Sequence, residues 1–140
     1  MSRTNLDRFI TAQKRDYAAA LAEIKSGRKK SHWIWYIFPQ LKELGRSDMA
    51  KHYGIADLGE AKAYLANDTL RNNLIEICEA LIALPETNIE AIMDFPDDLK
   101  LHSSMTLFLL AEPMNEVFRD VLGKFFAGEL DKKTIEILNA

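Results

Sequence analysis

The sequence predicts an all-α fold of roughly eight helices, several of them short, and three observations carry that prediction. Apolar residues recur at helical spacing along most of the chain. Side chains able to accept hydrogen bonds from free helix amides stand ahead of nearly every such run. Gly and Pro occur singly, where helices would start or stop, and no linker, repeat or low-complexity tract interrupts the pattern. With 48% hydrophobic residues in 140, there is apolar material for one sizeable core. One domain over residues 1–140 is therefore expected.

The first helix carries Leu6, Phe9, Ile10, Tyr17, Leu21 and Ile24 on one stripe. Thr4 and Asp7 form its capping signal, and Gly27 ends it, with Lys25 and Arg28 near its negative end. The aromatic run His32-Trp33-Ile34-Trp35-Tyr36-Ile37-Phe38 follows. Ser31 is placed to cap a short helix there, which must stop near Phe38 because Pro39 disfavours helical geometry before it. The composition suits a buried strand equally well, but no other segment offers a strand partner, so a helix is expected. Ser47 caps a short helix through His52, closed by Gly54. Asp57 and Glu60 box the next, around Leu58, Ala61, Tyr64 and Leu65. Asp68 starts a longer one that ends before Pro85, and Thr87 with Glu90 boxes a short one around Ile89 and Ile92. After Pro96, Asp97 and Asp98 open a helix reaching Ala111. Asn115 caps a helix ended by Gly128, and Asp131 caps the last.

Bulk properties exclude several function classes. A net charge of −3 argues against non-specific nucleic-acid binding as the main role, although a local basic site is compatible with it. The single cysteine, Cys78, forbids an internal disulfide and leaves no cysteine-based zinc site. His32, His52 and His102 lack ligand-like spacing with carboxylates, so no metal is expected. The longest apolar run, Met105 to Ala111, is too short to span a bilayer, and no secretory signal pattern precedes the first helix. A cytoplasmic protein is the expectation.

Two segments break the rule of apolar inside and polar outside. In the first, Lys30 to Gln40, aromatic rings fill nearly the whole helix circumference, the mark of a buried element. Its polar edge is Lys30, His32 and Gln40. In the second, Ser103, Ser104 and Thr106 interrupt an otherwise apolar helix next to Lys100. Most buried hydroxyls bond to carbonyls one turn earlier, so local satisfaction is the more frequent outcome for these three. Lys100 and Ser103 reverse the order of the Ser-x-x-Lys nucleophile pattern, and no oxyanion-hole signature accompanies them.

At these segments the chain resembles a bacterial family known as domain of unknown function 1810, some of whose members carry a calpastatin-like label. The resemblance rests on Asp7-Arg8-Phe9, on His32-Trp33-Ile34-Trp35-Tyr36-Ile37-Phe38-Pro39-Gln40, on Tyr53-Gly54-Ile55, and on Asp98-Leu99-Lys100-Leu101 with Ser103-Ser104-Met105-Thr106. It covers nearly the whole chain. It implies a compact all-α fold and carries over no activity, cofactor or catalytic residue. Protease inhibition of the calpastatin kind uses disordered segments, which this capped, amphipathic chain does not resemble.

The functional expectation is a pocket between the aromatic segment and the Lys100 helix that binds a small anionic or nucleotide-like ligand. Lys30 and Lys100 supply charge, His32 a proton or hydrogen bond, and Trp33 a stacking face. Gln40, Ser103, Ser104 and Thr106 line the wall with polar contacts. The alternative is a protein-interaction module without catalytic activity, whose polar core groups only fix packing.

Overall fold

Buried residues lie on most of the circumference of α7 (Asp97–Ala111), which runs through the middle of the domain with its first turns open to solvent. Leu101, Met105, Leu107 and Phe108 are fully buried along it. The computed structural model describes residues 6–139. Among these, α1 (Asp7–Lys25), α2 (Ile34–Ile37), α3 (Asp48–Tyr53), α4 (Leu58–Ala66), α5 (Asp68–Ala83) and α6 (Ile89–Ile92) precede α7. After it come α8 (Glu116–Phe126) and α9 (Lys132–Leu138), and a 3-10 turn, Lys42–Leu44, lies between α2 and α3. Helices α2, α4, α8 and α9 all pack on α7, while α1 packs on α5 and α2. The all-α expectation holds, with nine α-helices among the described residues instead of roughly eight. The sole β feature there is an isolated parallel bridge between Leu41 and Ile55. In it the Lys42 amide donates to the Ile55 carbonyl and the Ile55 amide to the Gln40 carbonyl, each at 2.8 Å.

Helix starts follow side-chain chemistry. Ser47 accepts from the Ala50 amide, Asp57 from Glu60, Asn115 from Val117 and Asp131 from Thr134. Two caps fall one residue from their expected places. Asn67, not Asp68, accepts from the Leu70 amide, and Asn88, not Thr87, from Glu90. Asn reaches the same amides, and the neighbouring residue becomes the first helical position or lies outside. Ser31 caps nothing, because its hydroxyl is turned to the Glu23 carboxylate at 2.7 Å. Helix α1 begins without a side-chain cap at Leu6; Thr4 lies outside the described residues. It ends at Gly27, whose φ of +90° is in the region that glycine adopts without steric cost.

Aromatic rings run through the core in a continuous series. Phe9 meets Tyr64 edge-on at 5.2 Å, Tyr64 meets Phe108 at 5.1 Å, and Phe108 meets Phe118 at 5.9 Å. Burying each such side chain stabilises the fold by about 2–3 kcal/mol. One polar residue is set among them. Gln13, 3% exposed, donates through its side-chain NH2 to the Tyr36 carbonyl and to the Tyr64 hydroxyl oxygen, both at 2.8 Å. Its own oxygen accepts from Asn73 at 3.0 Å. It thereby ties α1 to α2, α4 and α5. Among the described residues no helix is long and apolar enough to cross a membrane.

Candidate functional site

The aromatic segment is held in place by one carboxylate. Glu23, near the end of α1, accepts from the Lys30 amide at 2.6 Å, the Ser31 amide at 2.9 Å and the Trp33 indole at 3.0 Å, besides the Ser31 hydroxyl. Partial burial pushes its carboxyl up. The hydrogen bonds from Ser31, Lys30 and Trp33 outweigh that and hold it at about 2. A second tie joins this segment to α7. Lys29, its side chain only 6% exposed, pairs with Asp97 at 2.8 Å and lies 4.9 Å over the Trp33 ring.

These ties leave Trp35 and Lys100 facing each other, the ammonium 5.9 Å from the ring centre. Two adjoining clefts share them, together with Pro96. The larger, about 650 Å³, opens between Trp35 and Gln40, the loop after the 3-10 turn, and the first turns of α7 and α9. Its cations are Arg46, Lys100, Lys132 and Lys133. The smaller, about 440 Å³, lies between Lys30 and His32 on one side and Phe95 and Asp97 on the other.

Charge on the walls is mostly uncompensated. Among the described residues Arg46, Lys132, Lys133 and Lys30 make no ion pair. Lys100 has only a long contact with Asp97, at 3.5 Å. The acid in the larger cleft, Asp131, is already engaged by the Ser103 hydroxyl at 2.9 Å and by the hydroxyl and amide of Thr134 at 2.6 and 3.2 Å. The Trp35 indole N–H is buried and has no acceptor among the described residues. Such an unmet donor costs about 1–3 kcal/mol. The arrangement therefore presents several cations beside a ring face, which is the chemistry for holding an anion with a planar part.

The residues expected from the sequence divide. Lys30, His32 and Lys100 share the smaller cleft, and Gln40, Lys100 and Ser103 share the larger. Trp33 is not the stacking face of either. It is 1% exposed with its N–H committed to Glu23, and it borders only a separate hollow of about 120 Å³ beside Tyr36. Trp35, two residues on, takes the position expected of it. Ser104 is fully buried and lines neither of the two clefts; its hydroxyl has no partner among the described residues. Thr106 is also fully buried, donating to the His102 carbonyl and accepting from the Asp131 amide, each at 2.9 Å. Ser103 reaches the larger cleft, but its hydroxyl is spent between the Leu99 carbonyl at 3.1 Å and Asp131. Ser103 and Thr106 thus fasten the start of α9 to α7. Arg46, Lys132 and Lys133 were invisible as site residues because a loop and a helix end carry them with no motif around them. Among the described residues no three His, Cys, Asp or Glu side chains group as a metal site.

Comparison with known proteins gives a family and a fold. The family model described as "Protein of unknown function (DUF1810)" matches residues 3–138. The crystal structure of the conserved hypothetical protein Rv1873 from Mycobacterium tuberculosis is similar at a TM-score of 0.95. It is 43% identical in sequence, and the match covers 97% of each chain. No protein of curated function matches.

Proposed function

For a chain that belongs to the DUF1810 family, whose description states no function, we propose binding of a small anionic, nucleotide-like ligand in the larger cleft. The observation that carries this reading is the convergence of Arg46, Lys100, Lys132 and Lys133 on one concavity in a chain of net charge −3. Arg46, Lys132 and Lys133 make no ion pair among the described residues and Lys100 makes only a long one, so the like charges repel one another and an anion relieves that repulsion. Arg46 grips phosphate oxygens through its planar fork, and the three lysines add point charges. Trp35 supplies the ring against which a base stacks, and Gln40 supplies both a donor and an acceptor at the rim. The volume is within the range of sites that take such ligands.

The test is calorimetry and thermal shift with a panel of nucleoside mono-, di- and triphosphates and phosphorylated metabolites. A binder is expected, with its affinity reduced about tenfold or more by Arg46→Ala and by Lys100→Ala. A panel that stabilises nothing, or binding that survives Lys100→Ala unchanged, removes the proposal. A second reading, a protein-docking face without chemistry, draws on Phe95 at 71% and Leu99 at 50% exposure beside the clefts. It predicts a stoichiometric partner lost on Phe95→Ser but retained by Lys100→Ala.

A further inference from the structure

The second cleft has no part in the reading just given, yet it is built against the first. Both use the same side of α7. Trp35, Pro96 and Lys100 belong to both walls, so a molecule lying over the Trp35 ring and the Lys100 ammonium touches both spaces. Each end then has cations of its own. Arg46, Lys132 and Lys133 stand at the far side of the larger cleft. In the smaller one, Lys30 and His32 are exposed, and neither side chain is engaged in an ion pair among the described residues. Lys29 is not available there, because Asp97 and the Ser31 carbonyl hold it. Asp94 is similarly taken up by Arg28 at 2.6 Å. Between the two charged ends lies a surface of ring and ring-like carbon, Trp35 and Pro96.

We propose that the two clefts are halves of one site for a single ligand with two anionic groups held apart and a planar ring branching from the part between them. In nucleotide form this is a nucleoside phosphorylated on both sides of its ribose, at O3′ and O5′. The proposal rests on anion binding in the larger cleft and adds which anion distribution is selected. Lys30 and His32 hold the second anion, Lys100 sits at the waist, and Trp35 faces the base. His32 donates through a ring nitrogen whichever tautomer it adopts.

The experiment compares ADP, with both phosphates in one chain at O5′, and adenosine 3′,5′-bisphosphate, with two phosphates held apart on O3′ and O5′ of the ribose. Binding of each is measured by calorimetry to the intact protein, to the Lys30→Ala/His32→Gln double variant and to Arg46→Ala. These are surface changes, and circular dichroism checks that each variant is folded. The bisphosphate is expected to bind about tenfold tighter than ADP, the low end for one added charge-assisted hydrogen bond. The double variant is expected to erase that difference, and Arg46→Ala to weaken both ligands. Equal affinities, untouched by the double variant while Arg46→Ala weakens both, overturn the two-ended site and leave the larger cleft standing. Absence of binding by either ligand and by the whole nucleotide panel removes both. A short oligoadenylate that binds tighter than either mononucleotide overturns the assignment to a small free ligand.

Discussion

Replacing Glu23 by Gln tests how the aromatic segment is held. The carboxylate accepts two backbone amides, an indole and a hydroxyl within one short stretch. Glutamine keeps one acceptor and points an NH2 group at donors that already need one. The gap between the ordinary 4.5 and the folded value of about 2 corresponds to about 3 kcal/mol at about 1.4 kcal/mol per pH unit. Glu23 is partly solvated, so screening reduces the realised figure to about 1–2 kcal/mol. Because the folded value is lowered, this stability is fully present above pH 4.5 and is lost as pH falls from there towards 2. Urea denaturation of the wild type and Glu23→Gln should therefore show a difference of about 1–2 kcal/mol at pH 7 that narrows steadily between pH 4.5 and pH 3. A difference that stays constant over that range would show that the carboxylate charge is not what holds the segment.

Two further outcomes concern the core. Gln13→Leu leaves the Tyr36 carbonyl and the Asn73 amide without their partner, and the expected loss is about 2–3 kcal/mol in the denaturation midpoint at unchanged slope. Burial pushes the Cys78 thiol well up, so native protein should resist alkylation and react at the rate of global unfolding; fast labelling of the folded protein would contradict the burial of its sulfur against Met105 of α7.

Much of the helical plan was legible because capping is a local matter. Ser47, Asp57, Asn115 and Asp131 each satisfy amides two or three residues away, and residue type alone reveals that. The Asn67 and Asn88 caps slipped by one place because adjacent residues can all accept, and only the backbone angle selects among them. Ser31 was misplaced for a longer-range reason: the carboxylate that takes its hydroxyl is eight residues back on α1. The site divided along the same line. Lys30, His32 and Lys100 stood out by sequence context. The exchange of Trp33 for Trp35 did not, because periodicity places the two rings on different faces without saying which face is covered. The hydroxyls of Ser103 and Thr106 were claimed by α9, a neighbour from the far end of the chain.

The unlike fates of the two indoles make the protein its own optical probe. The chain has two tryptophans, and they are separated by one residue. Trp33 is sealed, with its N–H tied to a carboxylate, while Trp35 borders every cleft that meets at Lys100. Under the proposed function, a base settling on Trp35 would quench one emitter and leave the other as a constant internal reference. Steady-state fluorescence of the unlabelled chain thus reports occupancy at Trp35, with Trp35→Phe as the dark control.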